Sequence, residues 1–308
     1  MRITSQLRGL HSRRMLLLRL AMALSFVICL WRNAANALAL DDVRQRHPTV
    51  MVLPREADQL YWVVVFFLFG FIGRECIVPC ADLPLPQLEI LYTLTSLGLV
   101  LQTVCFEAAS ADCMVVAFGA MSALWLSMFA AYVLVLENVE PPHVFATLSI
   151  HKDVGYPCRR VSDYLWMRVP FTLYASWLGA TTIASLTVAL ATVGVPLDMY
   201  IYISCFSTLL MANVVALLWQ GDLVFASVGA WAFVWLEMKS AGEKTLVVAN
   251  SDEFAAISAI QAMATLGLCV LVSLAVILLL VRFYVRRTTQ ARSQFNAPYY
   301  GSTSSTPC

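Results

Sequence analysis

Seven long segments of this chain are almost free of charge, and that feature confines it to a lipid bilayer. A membrane-crossing helix needs roughly 20 apolar residues, because its backbone must pair internally across a water-free core. The segments fall near 58–77, 88–107, 113–136, 169–193, 198–219, 221–238 and 254–281. Within them no Lys, Arg, Asp or Glu occurs from Gln59 to Gly73, Ile90 to Phe106, Met114 to Leu136, Val169 to Leu197, Met199 to Gly221, Leu223 to Leu236 or Phe254 to Val281. One such residue at mid-bilayer costs about 3 kcal/mol on insertion scales, which explains the avoidance. The first and sixth uncharged cores are short, so Arg74, Glu75, Asp222 and Glu237 are expected to snorkel or to face protein and water. Composition agrees, with 60% hydrophobic and 13% charged residues, against about 25% charged in soluble proteins. The reading is all-α: a multi-span transmembrane helical bundle of seven spans plus an N-terminal signal peptide or signal anchor.

Residues 1–19 carry five arginines, an apolar run follows from Leu20 to Trp31, and small residues recur at Ala35, Ala37 and Ala39. That order matches the charged, apolar and small-x-small regions of a secretory signal, either cleaved or kept as an anchor. Orientation follows from the Lys and Arg count. Placing residues 1–19 in the cytoplasm puts 14 basic residues on the cytoplasmic side and six on the other. The expected organisation is a signal over 1–37, a lumenal or extracellular segment over 38–57, a membrane domain over 58–281 and a disordered cytoplasmic tail over 282–308. The expected location is the secretory membrane system.

Charge is nearly balanced, 20 basic against 19 acidic residues, so nothing points to a nucleic-acid partner; membrane lipids are the expected surroundings. None of the four histidines (His11, His47, His143 and His151) lies in an expected span. The chain has no Gly-x-Ser-x-Gly, His-Glu-x-x-His or Walker loop. Spans without an ionisable residue at mid-membrane argue against proton-coupled transport and intramembrane acid–base chemistry. The expectation is therefore not an enzyme, with no cofactor and no metal. Of the nine cysteines, Cys105 and Cys113 flank a short turn, where a disulfide is conceivable; two buried thiols acting as small apolar residues are preferred. Cys76, Cys80 and Cys158 are membrane-proximal candidates for acylation.

The fourth to sixth spans hold the candidate site. Ser176, Ala180 and Ala184 repeat at four-residue spacing, as do Thr181, Ser185 and Ala189, giving small faces for close helix packing. Tyr174 and Trp177 lie inside the fourth span, Asn213 inside the fifth, and Trp231 and Trp235 inside the sixth. Large aromatics with a few polar groups either pack a bundle or line an apolar ligand cavity. Trp62, Trp166 and Trp219 fit interfacial anchoring.

One stretch resembles a known family. Arg168-Val-Pro-Phe-Thr-Leu-Tyr-Ala-Ser-Trp-Leu-Gly-Ala-Thr-Thr-Ile-Ala-Ser185 is similar to the Pro-Phe-Ser-Leu-Tyr-x-Gly-Trp span of eukaryotic relatives of the TspO family (tryptophan-rich sensory protein/translocator protein). Asp222-Leu-Val-Phe-Ala-Ser-Val-Gly-Ala-Trp-Ala-Phe233 is similar to a later segment of the same family. The resemblance covers roughly 58–280 and leaves out the signal-like start; the family's Gly and closing Asn are Ser176 and Ser185 here. It implies binding or movement of a hydrophobic small molecule such as a tetrapyrrole, sterol or lipid. It also carries over Pro170, Phe171, Tyr174, Trp177, Asp222 and Trp231 as cavity or scaffold residues. Two other readings stand beside it: an orphan seven-span receptor, and a structural or scaffolding membrane protein.

Overall fold

The computed structural model describes residues 2–47, 49, 51–77, 84–139, 164–246 and 251–295. Among them the chain forms α1 (Arg2–Arg46), a short 3-10 turn (Arg55–Asp58), α2 (Gln59–Ile77), α3 (Leu85–Ser110) and α4 (Met114–Asn138). A π-turn (Tyr164–Arg168) leads into α5 (Val169–Thr192), followed by α6 (Met199–Gln220), α7 (Leu223–Leu246) and α8 (Ser251–Phe295). Cys80, Cys158, His143, His151, residues 140–163 and the tail beyond 295 lie outside the described residues.

Among the described residues eight helices are long and apolar enough to cross a membrane, the seven expected spans and one more. The additional one is the signal-like segment, which forms part of a 45-residue helix. The last helix, α8, continues past the seventh apolar segment to Phe295. Polar residues there look like a terminus in sequence, yet a helix already nucleated in the bilayer extends by one hydrogen bond per added residue.

The central helix is α5. It packs against α2, α4, α6 and α7, and every residue from Met167 to Leu178 is buried. A helix apolar on all sides belongs inside a bundle rather than at its surface. Pro170 sits in its first turn, where a missing N–H costs nothing and the fixed φ favours the helix. Phe171 meets Phe71 of α2 edge-on, with ring centroids 5.0 Å apart. Across the α5–α7 contact the Ser176 hydroxyl donates to the Phe225 carbonyl at 3.0 Å.

Hairpins join neighbouring helices through short turns. Gly221 ends α6 at φ 59°, the left-handed conformation that a Cβ would strain. Asp198 caps the start of α6, its side chain accepting from the Ile201 N–H at 2.9 Å. The 47–58 connector lies across one end of the bundle, with Met51, Leu53 and Ala57 buried. Lys239 of α7 holds it by donating to the Thr49 and Val52 carbonyls at 2.7 and 2.8 Å.

The two buried acids near short spans do not snorkel. Glu75 is fully buried and accepts from the Tyr92 hydroxyl at 2.6 Å; Asp222 is buried among protein donors, as set out below. Glu237 is half-buried and accepts from the Gln261 amide at 3.4 Å. Cys105 and Cys113 are both free thiols, the first buried and the second exposed, so only Cys105 acts as a small apolar residue. Trp62 and Trp219 are exposed, 61% and 67%, as interfacial anchors are. Trp166 instead stands over Gly70 with Phe66 and Phe67 nearby.

Candidate functional site

Two buried polar constellations tie helices of the bundle together, and one of them borders a cavity. The first centres on Asp222 at the start of α7. Its Oδ1 accepts from the Val224 and Phe225 N–H groups, both at 3.1 Å, so it satisfies two of the free donors at that helix start. Its Oδ2 accepts from the hydroxyls of Tyr132 in α4 at 3.2 Å and Thr172 in α5 at 3.4 Å. Arg168 lies 3.8 Å away and donates its other terminal nitrogen to the Val139 carbonyl at 3.1 Å. Both members of the ion pair are buried. The neighbouring Gly221 carbonyl accepts from Arg282 of α8 at 2.7 Å. Asp222 therefore ties α4, α5 and α7 together. Of the sequence-expected residues, Pro170 and Phe171 lie buried in the first turn of α5 and Asp222 is buried at the start of α7.

The second constellation centres on Gln102 of α3. Its Oε1 accepts from the Tyr174 hydroxyl of α5 and from the Cys29 thiol of α1 at 3.3 Å. Its Nε2 donates to the Tyr61 hydroxyl of α2 at 2.9 Å. One uncharged side chain thus joins four helices. Such networks are strong when every member is satisfied, because no water competes.

Beside Gln102 lies a cavity of about 680 Å³. Its apolar wall includes Phe106, Met121, Leu124 and Trp177. Asn33, Tyr61, Gln102, Thr181 and Ser185 add neutral hydrogen-bonding groups. Towards the connector the lining becomes charged, with Asp41, Arg55, Glu56 and Asp58. Arg55 pairs with Asp41 at 3.3 Å. The small residues of α5 make this space: Ala184 and Ser185 line it where larger side chains would fill it.

The other expected site residues lie elsewhere. Tyr174 is buried behind Gln102 and meets the cavity only through it. Trp231 does not line the cavity; its indole N–H donates to the Ala57 carbonyl at 3.3 Å, bracing the connector. Trp235 stacks edge-on to Trp231 with centroids 5.7 Å apart. Asn213 bonds the Leu209 carbonyl at 2.8 Å and presses its amide against Gly229 of α7, so it is a packing residue of the α6–α7 contact. Of Trp177 and Trp231, the first lines this cavity and the second does not. Gln102, Tyr61 and Asn33 were not among the expected site residues; a lone amide in the otherwise apolar second segment was the available signal.

The sequence matches the family described as TSPO-like protein over residues 15–277. No curated protein and no solved structure matches it. The match begins inside α1, so the similarity includes the amino-terminal helix that the motif comparison had left outside. Residues 15–277 contain the Asp222 node, the Gln102 network and nearly all eight spans, and on that extent the chain belongs to the TSPO-like protein family.

Proposed function

We propose that this multi-pass membrane protein binds, and passes on within the membrane, a hydrophobic small molecule of the tetrapyrrole, sterol or lipid class. The observation that carries the reading is the cavity beside Gln102, walled by Trp177 of the family-like helix. Its volume falls within the roughly 300–1,000 Å³ of small-molecule sites, and an apolar wall with a few polar groups is the usual lining of such sites. The neutral groups on its inner wall suit holding a ligand by hydrogen bonds rather than transforming it, so the protein is read as a carrier or sensor and not an enzyme. The basic-residue asymmetry supports a secretory-membrane protein with its carboxyl terminus in the cytoplasm.

The test uses the purified full chain in nanodiscs, titrated separately with protoporphyrin and with a fluorescent sterol. Ala184→Phe fills the cavity and is expected to weaken binding of whichever probe binds by at least about tenfold. Trp231→Phe lies outside it and leaves affinity within about twofold. Binding of neither probe, or binding indifferent to Ala184→Phe, overturns the reading.

A further inference from the structure

We infer that the signal-like amino-terminal segment is not removed but is retained as the first of eight spans and as one wall of the cavity. The argument starts from spacing. Met15, Arg19, Met22, Phe26, Cys29, Asn33 and Asn36 follow one another at alternating intervals of four and three, the seam of a packed helix pair. Met15, Met22, Phe26 and Cys29 are buried, whereas Leu16, Leu17, Leu20, Leu24, Val27 and Trp31 between them are exposed. An apolar region selected only for export needs hydrophobicity and no such periodicity.

Polar side chains along this helix meet counterparts at successive levels of α3. Arg14 pairs with Glu89 at 3.4 Å, and the Arg19 guanidinium lies over the Tyr92 ring at 5.7 Å. Cys29 bonds Gln102 as described. Arg32 pairs with Glu107 at 2.6 Å, and Asn36 donates to the same carboxylate at 3.0 Å. Beyond the span, Arg46 and His47 both reach Asp112, at 3.1 and 2.7 Å. Each exposed pair is worth little alone; what they share is one register over the whole length of α3. Loss of residues 1–37 would take Cys29 from Gln102, strip Glu107 of Arg32 and Asn36, and uncover the α3 seam.

The small residues that resemble a cleavage site are also poorly presented. Ala35, Ala37 and Ala39 lie within the continuous helix that runs to Arg46, while proteolytic sites concentrate at exposed loops. Asn33, Ala37 and Asp41 line the cavity. The wall role rests on the cavity reading above; retention and docking do not.

The test is intact-mass spectrometry of the full chain, tagged at its carboxyl end and purified from eukaryotic membranes, followed by thermal melting in detergent. The expected mass retains residues 2–37, and Phe26→Ala lowers Tm by at least about 5 °C while the lipid-facing Val27→Ala stays within about 1 °C. A mature chain beginning near residue 38 or 40 overturns retention. Equal melting of the two variants overturns docking of α1 on the bundle. Neither readout involves a ligand, so failure here is distinct from failure of the cavity reading.

Discussion

At the scale of single residues, the bundle depends on a few polar groups that must be fully partnered. Asp222 accepts four bonds and faces a buried arginine. Removing one member of a buried ion pair strands the other, at a cost of about 3–5 kcal/mol, whereas replacing both by apolar groups is often close to neutral. Asp222→Ala is therefore expected to lower Tm far more than the Asp222→Ala/Arg168→Met double variant does. Equal losses in the two melts would show that the helix cap, and not the ion pair, is what Asp222 supplies. Asp222 was legible in the sequence because a carboxylate at the edge of a span is conspicuous. Gln102 was not, because an uncharged amide leaves no mark on a search for missing charge, and only packing shows that Cys29, Tyr61 and Tyr174 converge on it.

Among elements, legibility depended on which faces were buried. The fourth apolar segment was recognisable because α5 is buried on every side from Met167 to Leu178, so little of its surface is free to vary without disturbing a neighbour. In α6 and α7 the decisive feature is a pair: the Asn213 amide fills the space above Gly229. A Cβ there has no room, so Gly229→Ala is expected to destabilise the α6–α7 contact. Asn213→Ala in the same chain should recover part of that loss, with a coupling of about 1 kcal/mol in a double-mutant cycle. Additive losses in the melts would mean that the two side chains do not meet. Sequence could show Asn213 as a polar group in an apolar span, but its partner has no side chain at all. The α1 seam was present in the sequence as a four–three spacing, obscured by the arginine, apolar and alanine order of an export signal.

For the whole molecule, the apolar segments specified the class of fold and seven of the eight candidate spans among the described residues. The eighth depended on recognising that α1 has one face for α3 and another for lipid. The charged residues at the connector end look numerous enough to hold the bundle together, yet most are solvent-exposed. Arg32 and Glu107 are each 40% exposed, and Arg46 and Asp112 are 43% and 45%. Such pairs contribute about 0–1 kcal/mol and are screened by salt. Raising the ionic strength well above physiological is thus expected to move Tm by less than about 2 °C; a large drop in differential scanning fluorimetry would assign stability to that charged rim.

The position of Asp222 in the chain also orders its biosynthesis. Tyr132, Arg168 and Thr172 precede it, so they are synthesised before the carboxylate is. A charge entering a membrane alone is expensive, but this one arrives where a cation and two hydroxyls already wait. Asp222 is thus one of the points at which the later half of the chain meets groups that the earlier half already supplies.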